Sequence, residues 1–442
     1  MAESATSHPL TRRKMVLTWS KKRMPVRLFA ATVRNMEQSS DLRFGEVPET
    51  RLDEALALSY LAFLETPEND ERKHHYETLR ECARVGAYDG DRLVGLMATY
   101  DFTLSLPGGE LPAPGLTFVS VAPTHRRRGV LSGMMAELYR RFGAAGTPLA
   151  CLWASEDAIY GRYGFGTGTR GLAVEINSSR PLALRIAPDE RPLRLVDPAD
   201  VPALLGPYYE RTRAVRAGRM ARTERWWREE WMVEKDSEDD DLSPPRIVAL
   251  GEPLAGYVIY RTKSDGHGPG SVHIGELEAD TPAVAAALWR YLAGIDLSHK
   301  VTAWARPLDD PLLHFCADRD QVRVTGEQTG LRVRLVDVGA ALRARSWAAD
   351  VDVVLDVRDA HVPANAGRHR LSVRQGTATY EPTDAPADLG LDVRELGSGY
   401  LGTIPLRELA HAGLVTEHTP GAAAGLDVAL RTDLAPYTVD EF

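Results

Sequence analysis

The chain is short of cysteine, of aromatic residues and of long apolar runs, and each shortage closes a class of function. Three cysteines in 442 residues (Cys82, Cys151, Cys316) stand far apart, with neither metal-ligand spacing nor an even count. A disulfide framework and a cysteine metal centre are thereby excluded, and a reducing, cytoplasmic setting is expected. No metal is expected. No apolar stretch approaches the roughly 18 residues of a membrane span. Basic charge is also scarce outside the first 40 residues, which hold eight Lys/Arg (Arg12 to Arg34) and two Glu, leaving 45 basic against 60 acidic residues in 41–442. A body so charged repels nucleic acid and attracts polycations, although solubility alone would also account for it.

What is present describes several ordinary globular domains. At 442 residues, 44% hydrophobic and 26% charged, the chain exceeds the size at which one core stops growing, so two to four domains are expected. The basic arm 1–40 has apolar pieces too short and too interrupted for a secretory segment. It is expected to be a disordered extension, or a start assigned too early, with Met24 or Met36 as initiator.

Apolar residues recur at helical spacing from Leu52 to Phe63, and Pro67 with the charged stretch to Glu81 predicts a broken helical region. Val85–Tyr88 and Arg92–Tyr100 predict strands joined by a tight turn at Asp89-Gly90-Asp91. Gly115–Ala122 predicts a third strand. The helix from about Arg128 to Phe142 carries Val130, Met134, Met135, Leu138 and Phe142 on one face, and Leu149–Trp153 predicts the next strand. Tyr160–Tyr163 is expected on a short helix with Ser155 as its N-cap. A degraded second copy follows: Pro253–Tyr260 mirrors Arg92–Thr99, and Val272–Ala279, Pro282 and Val284–Leu292 mirror the third strand, Pro123 and the helix. After Leu331 alternating stretches predict a sheet-rich module, with a helix at Leu406–Leu414.

The chemistry concentrates between Thr117 and Leu131, where a β-branched run ends at Pro123 and three arginines precede Gly129. A strand feeding a helix N-terminus offers unpaired N–H groups and the positive end of the dipole, which attract phosphate. Gly129 allows close backbone approach, because no Cβ intervenes. The spacing Arg126-x-x-Gly129-x-Leu131 resembles the acyl-CoA loop of GCN5-related N-acetyltransferases (GNAT), with Leu131 in place of the usual small residue. Phe118–Leu131, Ala154-Ser155-Glu156, Ile159–Gly166 and the final Glu441-Phe442 together resemble the enhanced intracellular survival (Eis) acetyltransferases.

That resemblance implies an α/β (α+β) architecture: a GNAT domain at 41–178, a second, degenerate GNAT-like domain at 190–328, and a sterol-carrier-like domain at 330–442. It implies acetyl-CoA as co-substrate, held by the backbone of Val119, Ser120 and Val121, by the loop residues Arg127, Arg128, Gly129, Val130, Leu131 and Ser132, and by Ser155 and Glu156. Tyr160 matches the family's proton donor. Tyr163, the local competitor, aligns with a packing position. The base implied is the α-carboxylate of Phe442, whose free pKa of about 3.3–3.7 would be raised by burial. Phe63, Glu65, Trp153 and Glu441 are implied to face substrate, Trp153 replacing a His of some relatives. Aminoglycosides are the substrates implied, with polyamines or protein lysines as alternatives, and a homohexamer as the assembly. A lipid carrier that merely senses acetyl-CoA is the rival from another class.

Overall fold

The computed structural model describes residues 42–234, 239, 241–266 and 268–442, so the basic arm lies outside the described residues. Three main sheets organise the chain. The first runs in the spatial order β1 (Leu42–Gly45), β2 (Ala83–Asp89), β3 (Arg92–Tyr100), β6 (Gly115–Val121), β7 (Leu149–Leu152), β16 (Arg332–Leu335), β8 (Gly166–Thr167), with the hairpin β4 (Thr103–Leu106)–β5 (Gly109–Pro112) apart from it. Strand β3 is buried from Leu93 to Thr99, as expected of a strand covered on both faces. Helices α1 (Leu52–Phe63) and α3 (Val130–Ala145) pack against it. The five apolar residues predicted for one face of α3 are all buried there. The helical region to Glu81 is broken at Pro67 as expected, and helix α2 (Asn69–Glu81) follows as one continuous 13-residue helix. Its capping box, Glu68 with Glu71, starts it cleanly after the Pro67 break.

The second sheet repeats the plan in the order β10 (Leu193–Val196), β11 (Arg246–Leu250), β12 (Gly256–Lys263), β13 (Gly270–Ala279), β14 (Ser298–Arg306), β9 (Arg170–Asn177), β15 (Val322–Thr329). Helices α5 (Val201–Arg213), α6 (Glu224–Trp226) and α7 (Pro282–Ala293) belong to this half. The third sheet is β19 (Thr377–Pro382), β18 (Gly367–Arg374), β17 (Val351–Arg358), β20 (Leu389–Asp392), β21 (Thr416–Glu417).

Two strands cross the boundaries expected at 178 and 330. Strand β9, in the expected first domain, pairs with β14 and β15 of the second sheet. Strand β16, in the expected third, lies between β7 and β8 of the first. A strand's alternation marks it as a strand but says nothing about which sheet accepts it. The exchange stitches the two halves together. The third module packs closely on the first as well: a Cβ on Gly166 would stand 2.2 Å from the Arg394 carbonyl oxygen, and the Thr167 N–H donates to Ser398 Oγ at 3.0 Å. One core therefore runs from Leu149 and Val333 through Leu355 and Leu391 to Phe442.

Candidate active site

Strand β6 pairs with β3 from Gly115 to Val121, but with β7 only at Gly115–Cys151 and Leu116–Leu152. A bulge opposite Leu96–Ala98, with Phe118 at φ 51°, turns the strand where the two part. Beyond Leu116 the edge of β6 facing β7 has no strand partner among the described residues. Val119, Ser120 and Val121 lie on that open edge, whose N–H and C=O groups suit an extended ligand. Ser120 turns its side chain inward, 3% exposed, to donate to the Phe118 carbonyl at 3.2 Å.

The loop below the notch has a geometry suited to anions. Arg127 (φ 64°) and Gly129 (φ 82°) are both left-handed, and such alternation points successive N–H groups to one side. Gly129 is the N-cap of α3. His125 anchors the loop through Asp89 at 3.0 Å and Thr124 at 2.8 Å, and Arg128 stands 3.8 Å from the same carboxylate. Arg126, Arg127 and Arg128 are exposed, while Val130 is buried and Leu131 half-buried. Helix α3 sits low on the sheet because β3 offers Gly95, where a Cβ would come within 2.6 Å of Val130. The exposed Ser132 exchanges a 3.0 Å hydrogen bond with the Tyr163 hydroxyl.

Tyr160 ends the short helix α4 (Asp157–Tyr160), 8% exposed, with the edge of its ring against Phe165 at 6.1 Å. Burial pushes its phenol above the usual range, with Glu156 and Tyr163 adding to the effect. Tyr163, 2% exposed, takes the packing role: its hydroxyl meets Ser132 and its carbonyl accepts from Tyr139 at 2.6 Å. Ser155 is exposed and does not cap α4. Glu156 occupies the N-cap, without a side-chain bond.

On the other flank, α1 ends at half-buried Phe63, Leu64 turns left-handed at φ 62°, and Glu65 follows. One Glu65 oxygen is buried without a partner, as is one of Glu71. Burial first, and Glu71 second, push the Glu65 carboxyl up to about 7. The Phe442 ring is 7% exposed and packs at 4.8 Å from Phe102 and 5.8 Å from Tyr100. A Cβ on Gly115, where β6 and β7 still pair, would stand 2.6 Å from that ring. Phe442 thus packs against the first sheet at the base of its notch. Half-buried Trp153 donates from Nε1 to the Asp440 carbonyl at 2.5 Å, and half-buried Glu441 lies between Asp440 and the final residue. Tyr100, Phe102, Trp226 and Asp440 escape sequence reasoning, since no spacing joins residues so far apart.

Comparison with known proteins agrees with this fold. Residues 43–168 and 218–335 each match an acetyltransferase (GNAT) domain, and 338–439 match a sterol carrier protein domain. An uncharacterized N-acetyltransferase of Streptomyces avermitilis is 42% identical over 85% of this chain and 93% of its own. N-acetyltransferase Eis of Mycobacterium tuberculosis is 36% identical over 81% and 88% respectively. The crystal structure of Eis1 from Mycobacterium abscessus superimposes with a TM-score of 0.80 at 31% identity, over 91% of this chain and 100% of that one. The chain is an N-acetyltransferase and belongs to the Eis family.

Proposed function

We propose that the protein acetylates amines of a polycationic small molecule, an aminoglycoside in the first place, by direct transfer from acetyl-CoA. The α3 loop from Arg127 to Ser132 would hold pyrophosphate, with Ser155 and Glu156 at its margin. The open edge Val119–Val121 would pair with the pantetheine arm, and the Val121 amide would donate to the thioester carbonyl oxygen. The co-substrate supplies an acetyl group on a thiol leaving group. The Phe442 carboxylate takes a proton from the substrate ammonium, directly or through water. As the C–N bond forms and the C–S bond breaks, Tyr160 gives its proton to sulfur. A buried phenol is a weak acid, but a thiolate formed in the same low-dielectric site is correspondingly basic, so the transfer stays matched.

The observation that carries this reading is the burial of the final residue against Gly115, beside the open notch. A chain end ordinarily frays. This one is packed among aromatic rings. Phe63, Glu65, Trp153 and Glu441 would receive the remaining ammonium groups. From the family resemblance we add a cytoplasmic homohexamer, to be tested by light scattering.

Thiol release from acetyl-CoA, compared across an aminoglycoside, a polyamine and a lysine peptide, tests the proposal. Release with the aminoglycoside at least as fast as with the others is expected. Preference for the peptide would favour a protein lysine acetyltransferase. No release with any amine, alongside tight fatty-ligand binding, would replace the enzyme with a lipid carrier.

A further inference from the structure

The second sheet has a notch of its own, and the protein has filled it. Strands β13 and β14 pair in parallel from Gly270 to Ile274 and then part. Across the gap, Arg306 of β14 donates from Nη1 to the Leu277 carbonyl of β13 at 3.2 Å, while its Nε meets Asp310 at 2.6 Å. The C-terminal tail enters beside it. The Tyr437 hydroxyl donates to the Ala305 carbonyl at 3.0 Å, and Ala305, Tyr437 and Val439 bury one another. Where the first domain leaves strand edges for an extended ligand, the second spends them on its own chain. The loss of the arginines and glycine at Ala283–Ala287 is consistent with this.

Immediately after Val439 comes a buried cluster of polar contacts. Asp440, 3% exposed, accepts from Arg222 Nε at 2.9 and 3.1 Å, from Trp226 Nε1 at 3.1 Å, from Trp231 Nε1 at 3.0 Å and from the Tyr209 hydroxyl at 3.1 Å. Arg222 is itself held by Glu276, at 2.8 Å from each of its terminal nitrogens. Burial works against ionisation of Asp440, but Arg222 and the indole donors outweigh it and hold the carboxyl below its usual range. A buried ion pair contributes little net stability over an apolar core, because desolvation offsets its attraction. What it specifies is position. Phe442 follows Asp440 by two residues, a reach of about 7 Å at most, so the clamp sets where the terminal carboxylate can stand.

We infer that Asp440 is a positioning residue for the Phe442 carboxylate, and that the degenerate second domain serves as the anchor holding it through Arg222. The inference rests on the reading of Phe442 as base. On this view the second domain aims the base instead of binding a second co-substrate.

The test compares Asp440→Asn and Asp440→Glu with the unaltered full-length enzyme, reading kcat against pH together with CoA affinity by calorimetry. Asp440→Asn is expected to lower kcat by roughly tenfold to hundredfold, the scale of a misplaced catalytic group, with CoA affinity within twofold. The acid limb of the kcat profile should move, and Asp440→Glu should recover part of the rate. Partial unfolding would instead scale the rate equally at every pH, and that result would overturn the inference. Should Asp440→Asn fail to fold, Trp226→Phe removes a single Asp440 donor and is read in the same way. A two-residue extension after Phe442 separates the two ideas. If the extended enzyme is inactive while Asp440→Asn retains full rate and an unmoved profile, only the positioning role falls. If the extended enzyme is fully active, the terminal base falls and the anchor with it.

Discussion

At the scale of single residues, the same cause acts on Tyr160 and Glu65, and it matters in different pH ranges. Burial favours the neutral form of each acid. For Tyr160 this keeps the proton in place at every physiological pH. Tyr160→Phe should cut turnover by about 10²–10⁴-fold, the usual worth of a general acid, with CoA affinity by calorimetry unchanged. Unchanged turnover would remove Tyr160 from the mechanism. For Glu65, raised from the ordinary 4.5 to about 7, ionisation is costly in the free protein. The sign follows: the unfolded chain releases this proton first, so Glu65 lowers stability progressively as pH rises from about 4.5 through about 7, and no further above. Glu71 stands against it, with Arg72 acting on the same pocket through Tyr60. Glu65→Gln should flatten that part of a melting-temperature profile, and a slope unaltered by the substitution would assign it elsewhere.

At the scale of elements, two glycines are required for different reasons. Gly129 has open space where a Cβ would go, but its φ of 82° is left-handed. Gly129→Ala should cost about 1–2 kcal/mol in local conformation, seen as a modest fall in melting temperature, and should weaken CoA binding. Gly166 has no left-handed φ, but a Cβ there would stand 2.2 Å from a backbone oxygen of the third module. Gly166→Ala should therefore destabilise by about 1–3 kcal/mol, the range for overpacking, seen as a lower melting temperature with CoA affinity retained in the folded protein. Helix α3, the strand before it and the Asp89–Asp91 turn were legible because their signals are local: a 3.6-residue period, a glycine start and a tight-turn sequence. The N-cap of α4 was not, since Ser155 and Glu156 are adjacent and one turn of helix carries no period to choose between them.

At the scale of the whole molecule, Phe442 packs against the first sheet at Gly115 although it is covalently part of the third module. Two residues added after Phe442 would turn its α-carboxylate into an amide at a residue packed against Phe102 and Gly115. Activity in the thiol-release assay should be lost, with CoA binding preserved. Adding the same residues at Met1 should change neither. The proposed catalytic constellation thus draws on all three modules: the loop and Tyr160 from the first, Arg222 from the second and Phe442 from the third.

Local order along the chain determined helices α1, α3 and α7, strands β2, β3, β6 and β7, the turn before α3 and the Tyr160 segment, because capping, periodicity and turn chemistry act over a few residues. Only the tertiary structure decided that β9 and β16 change sheets, that the second notch is filled, and that Asp440 meets Arg222 from 218 positions away. Such pairings are selected by burial and charge neutralisation between distant segments, and a linear pattern carries no record of which segments will meet.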